Sequence, residues 1–323
     1  MGRSRRPDGR MTPTPLASIV TPVLNRATTI RACLASVSAQ THPNVEHIVV
    51  DGGSSDGTIE IVESFRSSHE LRWISEPDGG MYEAINKGLG LARGTILAYL
   101  NSDDMYLPWS IQVAAASLER GADLVYGDLG LLRPGRRTFH PKFYAPFDLN
   151  YYTHFATIGQ PSVFWGVDVA RVLGDFDTSY QLLGDCEYWL RAAVAGFALT
   201  HVDEILAIQT EHGGTLRHTR PVELDAEFRR LRAAYVSYAG PPADHVLTFL
   251  RQGLQWRVQQ IQFALDSLIR SPRKWPRFLR FLKQNEIKVD HVRLFWYLLP
   301  GRFWPQGLSA VDVEALETSL ARQ

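Results

Sequence analysis

Residues 95–104 read "TILAYLNSDD". From Ile96 to Leu100 the run is apolar apart from one tyrosine hydroxyl, and beyond Asn101 and Ser102 come two adjacent carboxylates, Asp103 and Asp104. A short apolar run bounded by polar residues has the pattern of a strand buried on both faces, as in a parallel sheet. Acids set just past such a strand stand on the rim of a sheet, where they repel each other unless a cation lies between them.

The flanking chain repeats this pattern. "ASIVTPV" (Ala17–Val23), "VEHIVVDGG" (Val45–Gly53), "LRWISE" (Leu71–Glu76) and "ADLVYGD" (Ala122–Asp128) read as four more strands. Between them, Ile30, Cys33, Leu34 and Val37 recur at helical spacing, as do Ile59, Val62 and Phe65, and then Met81, Ile85 and Leu89. Asp56 or Thr58 marks the start of the second helix. Strands alternating with helices predict an α/β fold, a mostly parallel sheet with helices on both faces. Ligands of such sheets bind beyond the carboxyl ends of the strands. There the sequence delivers Asp51 after the second strand, Glu76 and Asp78 after the third, and Asp103 and Asp104 after the fourth. One such acid caps a helix as readily as it binds a ligand. Acids from three strands on one rim favour a site.

After Asp128 the pattern loosens. "RTFHPKFYAPFDLNYYTHFATIGQPSVFW" (Arg137–Trp165) is aromatic and broken by Pro141, Pro146 and Pro161, as a substrate-facing lobe would be. "LLGDCEYWLRAAVAGF" (Leu182–Phe197) reads as a helix, with Leu183, Trp189 or Leu190, and Ala193 or Val194 near helical spacing. From His218 onward the chain reads as helical, with Leu247, Leu250, Leu254, Val258, Ile261, Leu265 and Leu268 stepping by threes and fours.

A chain of 323 residues with 45% hydrophobic and 21% charged content can bury the core of a soluble globular protein. The formal net charge of zero hides an asymmetry: Arg251–Arg302 carries eleven Lys/Arg against three Asp/Glu, while residues before 251 carry 22 against 28. That balance suggests an anionic partner for the C-terminal part, such as a membrane surface. Two cysteines, Cys33 and Cys186, make no disulfide framework and fit a cytoplasmic setting. The lead "MGRSRRPDGRMTPTP" (residues 1–15) is basic without an apolar core, so it reads as disordered rather than as a secretory signal. No run of eighteen apolar residues predicts a spanning helix.

Adjacent carboxylates at a strand end suit a hard divalent cation, Mg²⁺ or Mn²⁺, with phosphate oxygens filling the remaining positions. The ion would act as a Lewis acid toward a departing diphosphate. Alone, "NSDD" is weak support, since paired acids are common on surfaces.

Three ordered segments add specificity: "IVTPVLNRATTIRACLASVSAQTHPNVEHIVVDGGSSDGT" (Ile19–Thr58), "EPDGGMYEAINKGLGLARGTILAYLNSDD" (Glu76–Asp104), and "GQPSVFW" followed by "LGDFDTSYQLLGDCEYWLRAAVAG" (Leu173–Gly196). Together they resemble the family-2 glycosyltransferases, which have the GT-A fold, a Rossmann-like mostly parallel sheet flanked by helices. The variant resembles bacterial enzymes of surface-polysaccharide and glycolipid assembly. The resemblance runs from about Ala17 to about Thr215 and implies a GT-A domain over 16–217, with a helical C-terminal extension over 218–323.

The resemblance also implies roles. Thr21, Pro22 and Asn25 would line the nucleotide pocket, and Asp51 would accept a hydrogen bond from the base. Asp78 and Asn101 would sit near the ribose and diphosphate, and Asp103 and Asp104 would form the metal and diphosphate site. Asp185 would be the general base: aspartates, with an ordinary pKa of about 4, are ionised at neutral pH and can take a proton from an attacking hydroxyl. Read by position alone, Asp185 equally caps the helix that begins near it. Glu187 is the fallback base. His212 would face the diphosphate or metal, although a lone histidine is more often structural, and Gln160 would touch the sugar or acceptor. Asp128 is either a pocket acid or a turn residue, while Cys186 and Trp189 read as packing.

Departures from the family pattern are visible. A glycine, Gly52, follows Asp51, where many relatives have a second acid. Ile85-Asn86 stands where many have Arg-Asn, which leaves Lys87 as the candidate cation and Asn86 as a pocket residue. Asn101 replaces the first acid of the Asp-x-Asp pattern, and Gly184 replaces an acid often found before the base. No Gln-x-x-Arg-Trp motif occurs, which favours one sugar per encounter.

"SPRKWPRFLRFLKQNEIKVDHVRLFWYLLPGRFWP" (Ser271–Pro305) mixes Arg and Lys with Trp and Phe. It reads as an interfacial segment at the cytosolic face of a membrane, or equally as a tail packed on the body or a second protomer. No nucleic-acid motif is present. Gly88, Gly90 and Gly94 do not make a dinucleotide fingerprint. The expectation is therefore an inverting, metal-dependent, non-processive transferase. It would use a UDP- or dTDP-sugar and a glycan or lipid-linked acceptor. A catalytically inactive nucleotide-sugar-binding scaffold is the alternative.

Overall fold

The computed structural model describes residues 13–133, 138–142, 144, 146–153, 158–210 and 219–238. Four parallel strands form one half of the sheet: β1 (Ala17–Val23), β2 (Val45–Asp51), β3 (Glu70–Ser75) and β4 (Ile96–Tyr99). Every residue of β1 and β4 is buried, including Ser18 and Thr21 of β1, as befits strands enclosed on both faces of a parallel sheet. The helices between them are α1 (Ile30–Ser38), α2 (Thr58–Ser64) and α3 (Met81–Leu91). The predicted apolar face of α1 is buried, with Ile30, Cys33, Leu34 and Val37 enclosed, while Val62 of α2 and Ile85 of α3 are buried and Phe65, Met81 and Leu89 pack partly exposed against the core.

β1 pairs β2 on one side, from Ala17 opposite Val45 to Val23 opposite Asp51, and β4 on the other, from Ala17 opposite Ile96. The chain thus reverses its direction across the sheet at β1. Loops leaving β1 and β4 diverge there, which opens a crevice at their carboxyl ends.

The other half is mixed. β5 (Met105–Tyr106), α4 (Ser110–Leu118), β6 (Leu124–Arg133), β7 (Thr138–Lys142) and α5 (Leu149–Tyr152) follow β4. After a 3₁₀ turn at Gln160–Ser162 come β8 (Phe164–Gly166), α6 (Val167–Leu173), α7 (Gly184–Val194) and β9 (Leu199–Thr210). The strand order is β3-β2-β1-β4-β8-β6-β9-β5, with β7 paired to β6. β8 is antiparallel to both β4 and β6, so the sheet is mixed beyond β4. The predicted fifth strand is β6, and it runs on past Asp128. The stretch read as an irregular lobe also supplies β7 and β8, because local alternation there is masked by prolines and aromatics.

One aromatic cluster ties α7 to the sheet. Phe176 stacks on Tyr188 with centroids 4.1 Å apart, and Trp165 of β8 meets Trp189 of α7 edge-on at 5.4 Å. Such pairs add about 0.5–1.5 kcal/mol each beyond their area burial. This packing fixes the wall that carries Asp185.

α8 (Pro221–Tyr235) starts on a proline, which suits the first turn of a helix. It buries Leu231 and packs Leu224, Phe228 and Tyr235 on the same body. The helix expected to open the extension is therefore seated on the α/β domain. The chain from 239 onward, including the basic aromatic segment at 251–305, lies outside the described residues. No helix among the described residues is long and apolar enough to cross a membrane.

Candidate active site

The crevice at the ends of β1 and β4 is a cleft of about 520 Å³. Pro22 reaches it from the end of β1, Asn25 from the loop that follows, Asp78 from the loop after β3, and Asn101, Asp103 and Asp104 from the loop after β4. Gln160 and Asp185 face the same space from the 3₁₀ turn and the start of α7.

The loop after β1 is held by its own polar groups. Asn25 takes a left-handed backbone (φ 52°), which asparagine tolerates better than most residues. Its Oδ1 accepts the Ser55 N–H at 2.9 Å, and its own N–H donates to Ser54 Oγ at 2.7 Å. Asp78 Oδ1 accepts the Gly80 N–H at 2.9 Å, just before α3.

The acid pair is asymmetric. Asp104 is buried and accepts the Thr210 N–H at 2.9 Å, while Asp103 is partly exposed. Burial, and then the charge of Asp103, push the Asp104 carboxyl well above the usual carboxylate range. Beside them, the Gln160 Nε2–H donates to the Tyr99 carbonyl at 2.9 Å. A carbonyl only accepts, so Gln160 Oε1 is turned to the Asn101 amide, which donates to it at 3.1 Å. That order turns Asn101 Oδ1 away, buried and without a hydrogen-bond partner among the described residues. Two carboxylates beside an orphaned carbonyl oxygen form a hard, oxygen-only donor set suited to Mg²⁺ or Mn²⁺. No group of three or more His, Cys, Asp and Glu among the described residues could hold a metal. Two carboxylates are what Mg²⁺ commonly takes from protein when phosphates complete its shell. His212 lies outside the described residues.

Asp185 is buried at the N-terminus of α7. Its Oδ1 accepts the Cys186 N–H at 2.8 Å and faces the Tyr82 hydroxyl at 3.4 Å. The Asp185 N–H donates to the same hydroxyl at 3.1 Å.

Four residues expected at the nucleotide are absent from the cleft lining. Thr21 is buried against His47, Oγ1 to Nε2 at 2.8 Å. Asp51 is fully buried and turned into its own loop, accepting from Gly53 N, Ser54 N, Ser54 Oγ and Ser75 Oγ. Asn86 clasps the Phe176 backbone through its Nδ2 and Oδ1, both at 2.9 Å. Lys87 pairs with Glu76 at 3.0 Å and Glu83 at 3.2 Å. Glu187 is likewise occupied, bound to Arg191 at 2.9 Å and to the Tyr235 hydroxyl at 2.7 Å. Asp128 accepts the Tyr144 N–H at 2.9 Å and so holds a lining residue from behind.

Sequence reasoning missed Tyr82, Tyr144, Lys142 and Gln181, which also line the cleft. Lys142 Nζ lies 5.1 Å from the Tyr144 ring centre, placing a cation on this wall. Tyr82 stands in the first turn of α3, next to the two glycines that mark its start, and that position was its one signal.

The fold and this cleft define a GT-A glycosyltransferase domain. The Glycosyl transferase family 2 model matches residues 18–164. A Mycobacterium bovis protein named PGL/p-HBAD biosynthesis glycosyltransferase is 31% identical over 206 residues, covering 62% of this chain and 78% of the relative. The chain belongs to glycosyl transferase family 2. Among solved structures, S. aureus TarS 1–349 in complex with UDP superposes with a TM-score of 0.56 at 20% identity, covering 77% of this chain and 78% of that one. The Pyrobaculum calidifontis mannosyltransferase PcManGT, in complex with GDP-Man and Mn²⁺, gives 0.50 at 17% identity over 76% and 81%.

Proposed function

We propose that the protein moves one sugar from a nucleotide-diphosphate sugar to a hydroxyl of a glycan or lipid-linked acceptor, with inversion at the anomeric carbon. One observation carries this reading: an adjacent acid pair, Asp103 and Asp104, and a separate helix-borne acid, Asp185, face the same cleft. With a divalent cation on its acids the first pole would suit a charged diphosphate, and the second suits an acceptor hydroxyl. The neighbours in complex with UDP and with GDP-Man and Mn²⁺ support a nucleotide-sugar donor and a divalent ion. A UDP- or dTDP-sugar is the favoured donor.

In this reading Asp185 takes the acceptor proton as the hydroxyl oxygen bonds to the anomeric carbon. The bond from that carbon to the diphosphate oxygen breaks, and its electron pair leaves with the nucleoside diphosphate. Asp103 and Asp104 would hold a divalent cation, with Asn101 Oδ1 beside them. The ion's contribution is to stabilise the charge that collects on the leaving diphosphate. Lys142 and Arg26, both on the lining, add positive charge near that anion.

A thermal-shift panel of UDP-, dTDP- and GDP-sugars on the full chain, with Mn²⁺ or with EDTA, tests the reading. A stabilising nucleotide at 100 times its dissociation constant adds about 2.7 kcal/mol. That gain is expected with Mn²⁺, and is expected to vanish with EDTA and in the Asp103→Ala/Asp104→Ala variant. A well-folded protein that no nucleotide stabilises would overturn it.

A further inference from the structure

We propose that Glu227 of α8 is a positioning residue for the wall of the cleft that carries Asp185. The role deepens the transferase reading and depends on it for its catalytic consequence. Three consecutive backbone N–H groups converge on this one side chain. Gln181 N donates to Oε1 at 2.6 Å, and Leu182 N and Leu183 N both donate to Oε2 at 2.9 Å. Leu183 is the residue that immediately precedes α7, and Gln181 and Leu182 line the cleft. Asp185 follows two residues later. The carboxylate thus fixes the path by which the chain enters the base-bearing helix.

Other side chains of α8 grip the same stretch. Arg230 donates to Ser179 Oγ at 2.6 Å and to Asp177 Oδ2 at 3.3 Å, and its guanidinium lies 4.1 Å from the Tyr180 ring centre. The Tyr235 hydroxyl donates to Glu187 Oε1 at 2.7 Å, one turn into α7. Leu224, Phe228 and Leu231 seat the helix beneath these contacts. Arg230 also donates to the Ser179 carbonyl at 3.3 Å, but Glu227 stands out because three consecutive backbone N–H groups converge on it. A side-chain partner could adjust by rotation, but three neighbouring amides move only if the loop moves. A carboxylate accepting several N–H bonds is also a strong, charge-assisted anchor.

The consequence falls on one side of the site. The donor wall, formed by the loops after β1 and β4, makes none of these contacts. Loosening Glu227 should slow transfer and leave nucleotide binding in place. Misplacement of a reacting group by about 1 Å costs on the order of 100-fold, so a partial loss of order should cost about tenfold.

The experiment uses the full chain with Glu227→Ala, Glu227→Gln and, as a control on the outer face of the same helix, Arg229→Ala. Hydrogen exchange is read on peptides covering 181–185, alongside kcat and the KM for the nucleotide sugar. Expected are exchange at least about tenfold faster in those peptides for Glu227→Ala, kcat down about tenfold, and a donor KM within about twofold of the parent. Glu227→Gln, with one acceptor oxygen left, should fall between, and Arg229→Ala should match the parent. If Glu227→Ala loses its fold, Glu227→Gln carries the same readouts. Unchanged exchange at 181–185, or a kcat equal to the parent's, overturns the proposal. A parent chain that turns over no nucleotide sugar defeats the transferase reading instead, and the exchange data still decide whether Glu227 holds the loop.

Discussion

Tyr82 and Asp185 are joined at two points across the cleft. The Asp185 N–H donates to the Tyr82 hydroxyl at 3.1 Å, and that hydroxyl faces Asp185 Oδ1 at 3.4 Å. The first turn of α3 thereby meets the first turn of α7, although 103 positions separate the two residues. Tyr82 is buried, and its ring stacks near Phe176 at 5.9 Å. Burial and the Asp185 charge push its hydroxyl well above the usual tyrosine range, so it remains a proton donor. Tyr82→Phe should keep the ring packing and lose both polar contacts. The expected result is a fall in kcat of about tenfold with donor KM unchanged, checked by steady-state kinetics beside a melting curve.

Gly184 belongs to the same contact. A Cβ at this position would lie 2.8 Å from Cε2 and Cζ of Tyr82. Gly184→Ala should therefore push the ring aside and cost about 1–3 kcal/mol by overpacking. In a Tyr82→Ala background the same change should cost much less, and a double-mutant cycle followed by thermal unfolding measures the difference. The glycine that replaces a familiar acid is the partner of a tyrosine across the cleft.

The rim formed by the loops after β3 and β4 was more legible in the sequence than the rest of the cleft. β1, β2 and β4 are largely buried, and acids follow β2, β3 and β4, so period and punctuation located the strands and placed Asp78, Asp103 and Asp104 at their ends. Asp51 shows the limit of such reading. Its place at a strand end is right, but whether its carboxylate faces a ligand or its own loop depends on Ser54 and Ser75, and Ser75 lies 24 residues away. Asn86 and Lys87 likewise have partners outside the cleft: Phe176 is 90 positions from Asn86, while Lys87 pairs with Glu76 and, at i,i+4 spacing, with Glu83. The wall around Asp185 depends on contacts from Tyr82 and Glu227, which no local pattern encodes.

His47 and His69 supply a pH test remote from these residues. His47 is buried in β2, its Nε2 against Thr21 Oγ1 and its Nδ1 3.2 Å from His69 Nε2, while His69 Nδ1 meets Ser68 Oγ at 2.8 Å. Burial pushes His69 down to about 4, and burial with the neighbouring His69 holds His47 well below the usual value. In the unfolded chain both bind protons near pH 6.5. The folded form therefore keeps its full advantage above about 6.5 and loses it progressively as the pH falls toward 4. His69→Gln keeps a hydrogen-bonding side chain and removes one of the two titrating groups. The drop in melting temperature between pH 7.5 and 5 should be shallower in this variant than in the parent. The window is separate from that of Glu46. Burial raises the Glu46 carboxyl, but hydrogen bonds from Ser18, Arg93 and Arg72 outweigh it and hold the group below its ordinary value. Its stabilising contribution is lost only as the pH falls below about 4.3.

Asp104 should trade stability for function. Its carboxylate is 2% exposed and adjacent to Asp103, so in the ion-free protein its charge is poorly solvated and repelled. Asp104→Asn keeps an oxygen for the Thr210 N–H, held now at 2.9 Å, and removes that charge. Most substitutions of a buried, hydrogen-bonded residue destabilise. Here the ion-free melting temperature should stay at the parent's value or rise, by about 2–4 °C for each 1 kcal/mol of relief. The added stabilisation from a nucleotide sugar with Mn²⁺ should disappear at the same time. Melting curves with and without that pair of ligands check both halves. A variant that unfolds earlier than the parent without ligand would mean that Asp104 is held chiefly for the fold.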